Sequence, residues 1–161
     1  LVKLGAYFRN SLYHSDEILL SDEIQNIKNY LEIEKARFGD KLNVLIDVPE
    51  NLNCMIPPFT LQPLVENSLK HGLLPRIEGG TIEIHGEKNG NGIYLIVKDN
   101  GIGIEENKLK TLLDDSVCSK SVGIKNVNKR LICKYGEEYG LKLQSTPGTG
   151  TLVSLIIPGA A

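Results

Sequence analysis

The stretch "LQPLVENSLKHG" at residues 61–72 organises the interpretation of the whole chain. Thr60 is a plausible N-cap before it, Pro63 is tolerated in a first turn, and Gly72 is a typical stop after it. Between these signals, apolar residues recur at the three- and four-residue steps of a buried helix face. They are Leu61, Leu64, Val65 and Leu69. The pattern predicts an amphipathic helix over 61–71.

Polar groups interrupt this otherwise apolar helix at Glu66, Asn67, Lys70 and His71. Asn67, Lys70 and His71 have the spacing i, i+3 and i+4, so they share one helix face. The side-chain oxygen of Asn67 is a hard ligand that suits Mg²⁺, and the Lys70 ammonium is a point charge for a phosphate. A base, a metal ligand and a cation within two turns are what phosphoryl transfer requires. The solvated polar face of an ordinary amphipathic helix remains the alternative.

Three glycine-rich segments follow, and each is compatible with ligand binding. In the first, at 99–103, Asp99 ends a strand; its carboxylate can accept a hydrogen bond from an exocyclic amine such as that of adenine, and glycines allow close backbone approach. In the second, at 121–127, a small-residue loop opens a helix whose free amides form an anion site. The third, at 148–151, resembles a hairpin turn. Each segment alone also fits an ordinary turn or helix start.

The remaining pattern predicts an α+β fold. A helix from Leu1 to His14 and a second from the N-cap Ser21 to Phe38, closed by Gly39, form an antiparallel hairpin. Further along, alternating segments predict strands and apolar stripes predict helices. The strands cover 42–48, 81–87, 93–98, 141–145 and 151–157, and the helices cover 105–113 and 123–135. Tight turns, such as the one at 89–92, favour a mixed, mostly antiparallel sheet with helices on one face.

Composition excludes several classes of protein. The 161 residues carry 18 Lys+Arg against 20 Asp+Glu, a net charge of −2 that argues against nucleic-acid binding. No apolar run approaches the roughly 18–20 residues of a membrane span, and no signal peptide is visible. Cys54, Cys118 and Cys133 are too scattered for a disulfide framework or a zinc site, which favours a reducing, cytoplasmic compartment. Because the chain opens with Leu1 and not Met, we expect a fragment of a longer protein, and any membrane spans would lie upstream of it.

The order of these motifs resembles the catalytic ATP-binding domain of histidine kinases and of gyrase, Hsp90 and MutL, the Bergerat fold. The similarity is greatest to LytS/YehU-type sensor histidine kinases. It rests on "LQPLVENSLKHG" at 61–72, "DNGIGI" at 99–104, "GIKNVNKRLICKYG" at 123–136 and "PGTGT" at 147–151. The upstream "EIQNIKNYLEIEKARFGDKL" at 23–42 is similar to the segment before the ATP domain in that family.

The resemblance implies a two-layer α/β sandwich preceded by the helical hairpin. Residues 1–39 would be the end of a dimerisation and phosphotransfer region, and residues 40–161 would be the catalytic domain. It also implies a role for each matching residue. Glu66, Asn67 and Lys70 would be catalytic. Asn67 would bind the Mg²⁺ that bridges the ATP phosphates, Glu66 would help to polarise the attacking group, and Lys70 and His71 would approach the phosphates.

The same resemblance implies the nucleotide contacts made by the glycine-rich segments. Asp99 would bind the adenine amine, and Thr151 would lie near the adenine through its hydroxyl or a water. The remaining binding residues would be Gly101, Gly103, Ile104, Gly123, Ile124, Lys125 and Asn126. Arg130, in the same segment as the last four, is interpreted first as a helix-surface or ion-pairing residue.

The sequence departs from the family pattern in two respects. Ser121 stands where the second glycine motif usually has its first glycine, and the short separation of Gly103 and Gly123 predicts a short lid without a phenylalanine-box helix. The histidines are His14, His71 and His85, and none lies in the family's Pro-His-Phe context. We therefore expect the phosphoacceptor histidine upstream of this chain.

These interpretations predict an ATP-dependent protein histidine kinase, represented here by its catalytic part. The γ-phosphoryl group would pass to an upstream histidine and then to a response regulator. The full-length protein would be a homodimer, anchored to the membrane only through upstream segments, with this domain in the cytoplasm. Two alternatives stay open: a non-catalytic nucleotide-dependent dimerisation or switch module, and an anti-sigma-type serine kinase on the same fold.

Overall fold

A computed structural model describes residues 16–52, 54–90, 92–114 and 122–159. The predicted helix over residues 1–14, the histidine within it, Cys118 and Ser121 lie outside these ranges, so only the second helix of the predicted hairpin is described. No helix within the described ranges combines the length and the hydropathy that crossing a bilayer requires.

The described chain alternates helices and strands in an order close to the predicted one. The strands are β1 (Ile18–Leu19), β2 (Leu42–Asp47), β3 (Met55–Ile56), β4 (Gly80–Asn89), β5 (Gly92–Asp99), β6 (Lys142–Thr146) and β7 (Gly150–Ile157). The helices are α1 (Leu20–Phe38), α2 (Gln62–Asn67), which continues as a π-helical segment (Ser68–Leu73), α3 (Glu106–Leu112) and α4 (Val122–Tyr135). Two short 3₁₀ turns follow α1 and α4.

The main sheet has five strands in the order β2-β4-β5-β7-β6. β2 pairs with β4 in parallel, and the other three pairs are antiparallel. Alternate residues such as Ile82, Ile84, Leu95 and Val97 are buried in one core with apolar side chains of the helices. The expected α+β sandwich with a mixed, mostly antiparallel sheet is therefore confirmed.

Helix α1 belongs to this core along much of its length. Its buried residues include Leu20, Ile24, Ile27 and Leu31, which recur at helical spacing. The helix begins at Leu20, one residue before the predicted N-cap Ser21, because the chain enters it from strand β1 and no side chain caps it. At the other end Gly39 adopts φ +61° and ends the helix as predicted.

Strand β1 pairs with β3 as a separate two-stranded ribbon that the sequence did not predict. The Leu20 amide extends this pairing by donating to the Cys54 carbonyl at 2.8 Å. Two-residue strands carry no readable alternation, so the ribbon depends on tertiary contact. It fixes the start of α1 directly against the segment that leads into α2.

Candidate functional site

Helix α2 carries the predicted catalytic residues, but its start differs from the prediction. Thr60 does not cap it; its hydroxyl donates instead to the Pro57 carbonyl at 2.6 Å. The free amides of Leu61 and Gln62 donate to one carboxylate oxygen of Glu23, at 2.6 and 3.1 Å. The cap thus comes from α1, and sequence spacing could not reveal it because the partners are 38 and 39 residues apart.

The polar face of α2 has a half-buried part and an exposed part. Glu66 and Asn67 are half-buried, whereas Lys70 and His71 are exposed. Gln62 Nε2 donates to Glu66 Oε1 at 3.0 Å, and Lys70 Nζ lies 3.8 Å from Glu66 Oε2. The Glu66 carboxylate is therefore held from both sides, beside the amide of Asn67.

The helix changes to π geometry directly after Asn67. The Leu74 amide bonds to the Leu69 carbonyl at 2.9 Å, a five-residue step that widens the last turn. Gly72, predicted to end the helix, lies inside this segment, which runs to Leu73. Single π turns within α-helices are frequent at functional sites.

Asp99 lies buried at the end of β5, with 4% of its surface exposed. Its Oδ1 accepts a hydrogen bond from the Gly101 amide at 2.9 Å. Burial raises the pKa of the carboxyl group above its ordinary value, while hydrogen bonds from the Gly101 amide, the Ser68 side chain and the Thr151 backbone oppose that shift. The structure therefore provides a buried acceptor next to the residue that follows Asn67.

Glycines bring the end of α2 and the loop after β5 into contact. A Cβ on Gly101 would lie 2.3 Å from the Gly72 carbonyl carbon, and one on Gly72 would lie 2.8 Å from Asp99 Oδ1. The Ile102 amide donates to the Gly72 carbonyl at 3.0 Å. The motif at 61–72 and the motif at 99–104, which are distant along the chain, are thus in direct contact.

The hairpin of β6 and β7 brings the glycine-rich segment 148–151 to the same region. Asp99 and Thr151 are directly paired across β5 and β7. The Ser145 hydroxyl lies 2.8 Å from the Thr151 hydroxyl and accepts the Ile104 amide at 2.8 Å. Gly103, at φ +69°, packs against the backbone of Thr146, where a Cβ would lie 2.1 Å from the carbonyl oxygen. Only glycine fits there, so this loop conformation depends on residue 103.

Helix α4 begins against the start of α2. A Cβ on Gly123 would lie 3.5 Å from the Pro63 Cβ, and Pro63 is one turn before Asn67 on the same face. Ile124 is buried in the core, whereas Gly123 and Asn126 are exposed. The Lys125 ammonium donates to the Asp114 carbonyl. The amides of the first turn of α4 therefore open near the polar face of α2.

Three contributing residues were missed by the sequence interpretation. Ser68 and Ser145 bond to the predicted site residues Asp99 and Thr151, but a serine in a helix or a strand carries no distinctive signal. Glu23 lies in the acidic first turn of α1, where the helix dipole alone is enough to explain a carboxylate, so its contact with α2 has no sequence signal. His85 lies 3.0 Å from Asp47 on neighbouring strands of the sheet and not at this site.

Comparison with family models assigns the chain to a family. Residues 59–161 match the model described as "Histidine kinase-, DNA gyrase B-, and HSP90-like ATPase". The chain belongs to this ATPase family. Residues 1–42 match the model described as "Histidine kinase". The resemblance to the histidine kinase branch of this fold is thereby confirmed.

Similar proteins agree with this assignment. The chain is 43% identical over 136 residues to YwpD of Bacillus subtilis, covering 84% of this chain and 48% of YwpD. It is 35% identical to the sensor protein LytS of Bacillus anthracis, covering 98% of this chain and 28% of LytS. The chain therefore spans less than half of the length of these two relatives.

One solved structure shows the same fold at low sequence identity. It is the histidine kinase ThkA in complex with the response regulator protein TrrA, with a TM-score of 0.67 and 18% identity, covering 89% of this chain and 41% of that one.

Proposed function

We propose that this chain is the ATP-binding catalytic part of a sensor histidine kinase. The whole protein would transfer the γ-phosphoryl group of ATP to a histidine outside this chain and then to a response regulator. One observation carries the proposal: the Asp99 carboxylate and the helix that bears Asn67 are joined through Ser68 and Gly72. Membership of the ATPase family and the relatives named as sensor proteins support it.

The residues of this region fit an adenine nucleotide. Asp99 is a buried acceptor, so its carboxylate would bind an exocyclic amine without competition from bulk water. Thr151, paired directly across from it, would contribute its hydroxyl nearby. The first-turn amides of α4, from Gly123 to Asn126, would receive the phosphates, because free helix amides and the helix dipole favour anions.

Asn67 would hold Mg²⁺ through its side-chain oxygen, since an amide oxygen is a hard, neutral ligand. When bound, Mg²⁺ neutralises charge on the phosphates of ATP. Glu66 would accept a proton from, or polarise, the attacking imidazole, and its contacts with Gln62 and Lys70 hold it at the half-buried face. Lys70 and His71, both exposed, would reach phosphate oxygens from the solvent side.

The partners proposed for the whole protein follow from the same assignment. We propose a homodimer, a response regulator as phosphoryl acceptor, and a cytoplasmic location for this part of a membrane-anchored protein. The solved complex of ThkA with its response regulator TrrA supports the regulator as a kind of partner.

The decisive experiment replaces Asn67 with alanine in the full-length protein. We expect Asn67→Ala to lower the rate of phosphoryl transfer from Mg-ATP by about a hundredfold or more, because the metal-binding oxygen is lost. The matched control is Asn43→Ala, at an exposed position of β2, which should leave the rate unchanged. Equal rates for the wild type and Asn67→Ala would refute the proposal.

A further inference from the structure

The corner that leads into α2, residues 59–62, has an unusual backbone. Phe59 adopts φ +58°, the one positive φ at a non-glycine residue among those that the structure describes. A bulky side chain in this region costs free energy, so surrounding contacts must hold it there. The corner immediately precedes the helix that carries Glu66 and Asn67.

Two charged side chains from two other helices hold this corner. Glu23 of α1, with 1% of its surface exposed, accepts the amides of Leu61 and Gln62. Arg130 of α4 donates from Nη2 to the Phe59 carbonyl at 2.7 Å. We call Glu23 and Arg130 the corner clamp.

The two members of the corner clamp also act on each other. Burial raises the pKa of Glu23 and lowers the pKa of Arg130, and the attraction between the two charges opposes both shifts. Glu23 Oε2 and Arg130 Nε are buried and make no hydrogen bond to any described residue. Removal of either side chain therefore takes away an attraction that favours the charged form of the other inside the protein.

Gln62 connects the corner clamp to the catalytic helix face. Its backbone amide donates to Glu23, and its side-chain Nε2 donates to Glu66 Oε1 at 3.0 Å. Gln62 is itself buried, with 7% of its surface exposed, so few alternative positions are open to it. A shift of Glu23 would therefore move the donor that orients the Glu66 carboxylate.

We propose that Glu23 and Arg130 are positioning residues for phosphoryl transfer, which set the orientation of Glu66 through Gln62. The inference rests on the proposed function. It assigns to α1, outside the ATPase family match, a direct structural effect on the catalytic helix. The clamp leaves the adenine end of the site untouched, because Asp99 bonds to neither of its members.

The test measures phosphoryl transfer by the full-length protein against ATP concentration for wild type and Glu23→Gln. Glutamine keeps the length and one acceptor oxygen but removes the charge. We expect kcat to fall about tenfold while KM for ATP changes less than about twofold, because orientation and not nucleotide binding is disturbed. A wild-type kcat for Glu23→Gln would overturn the inference, whereas an inactive wild type would overturn the proposed function instead.

A double-mutant cycle with Gln62→Met separates positioning from general destabilisation. Methionine removes the donor to Glu66 but keeps the backbone amide that Glu23 binds. If Glu23 acts through Gln62, the double variant loses little more rate than the worse single variant. If the rate losses of the two single variants instead multiply in full, Glu23 does not act through Gln62 and the inference is overturned.

Two further variants keep the test decisive. Lys134→Met breaks the 2.8 Å ion pair between α4 and Glu17, which lies just before β1, and should leave kcat unchanged. If Glu23→Gln fails to fold, Arg130→Lys replaces it, because lysine keeps the charge but loses the planar donor to Phe59. We then expect a drop in kcat of about threefold or more, and wild-type kcat in both Arg130→Lys and Gln62→Met would overturn the inference.

Discussion

Two buried carboxylates lie at opposite ends of the helical segment 62–73. Glu23 binds the free amides at its start, and Asp99 packs against Gly72 near its end. Burial raises the pKa of both carboxyl groups, and hydrogen bonds to backbone amides oppose the shift in both. By burial and chemistry alone the two sites are hard to distinguish.

Their neighbours distinguish them. Glu23 accepts hydrogen bonds from amides at the start of α2 and is attracted by the Arg130 charge, so its polar neighbours all belong to the chain. Asp99 is surrounded by glycines and hydroxyl groups, which bring small size and no charge. Glu23 therefore has partners within the chain that hold the fold together, whereas the small, neutral neighbours of Asp99 fit the ligand-binding role that we propose for it. The predictions below test this difference.

We expect the largest loss of stability near Asp99, where the close packing of two segments requires glycines. Gly101→Ala would place a Cβ 2.3 Å from backbone of Gly72. Neither segment can yield easily, so we expect a loss in the free energy of unfolding of more than about 3 kcal/mol. Chemical denaturation measures it. Gly123→Ala, whose Cβ would make an ordinary 3.5 Å contact, is the control and should not destabilise the chain.

The Glu23 end should make stability depend on pH. Burial raises the pKa of Glu23 from 4.5 to about 7, so the folded chain keeps a proton that the unfolded chain releases in this window. The protonated Glu23 carboxyl therefore stabilises the fold fully below pH 4.5. This stabilisation, about 3 kcal/mol in total, is lost as the pH rises towards 7. Unfolding of Glu23→Gln across this range should lack that component. An identical pH slope in both proteins would contradict the assignment.

A third comparison concerns ligand binding at the Asp99 end. Asp99→Asn replaces one acceptor oxygen of the carboxylate with a donor, which can no longer accept from an amine. We expect the affinity for ATP to weaken by about 2 kcal/mol, a hydrogen bond to a charged group. Calorimetric titration checks this value, with the exposed Asp40→Asn as the matched control. Unchanged affinity in Asp99→Asn would remove Asp99 from the nucleotide contacts.

The smallest effect should come from an exposed ion pair. Lys134 of α4 lies 2.8 Å from Glu17, and the two side chains are 31% and 36% exposed. Because water and salt screen such pairs, Lys134→Met should change the free energy of unfolding by less than about 1 kcal/mol. Thermal unfolding at low and high salt measures it. A loss of about 3 kcal/mol or more would show that exposure to water does not limit the strength of this pair.

Much of the fold was predictable because its signals are local. The hairpin of β4 and β5 follows the alternation of residues and the Asn-Gly turn, with Gly90 at φ +58°. The stripe containing Leu64 and Leu69 is buried as predicted. The ribbon of β1 and β3 was not predictable, because two-residue strands carry no periodicity and pair only through distant contacts.

The site divides in the same way. Asn67, Asp99 and Gly101 were singled out because residue type and position restrict what they can do. Ser68 and Ser145 were missed, because hydroxyl groups in regular elements are ordinary and only their partners, Asp99 and Thr151, give them meaning. The roles assigned to the nucleotide-binding residues remain predictions that the variants above address.

The sequence by itself determined the order of the main helices and of the strands of the five-stranded sheet, and the ATPase family, because periodicity, glycine positions and motif order are written along the chain. Only the tertiary structure decided that α2 is capped by Glu23 of α1 and not by Thr60, and that Arg130 faces inward to the same corner. The physical reason is that helix amides need an acceptor but do not specify where along the chain it comes from.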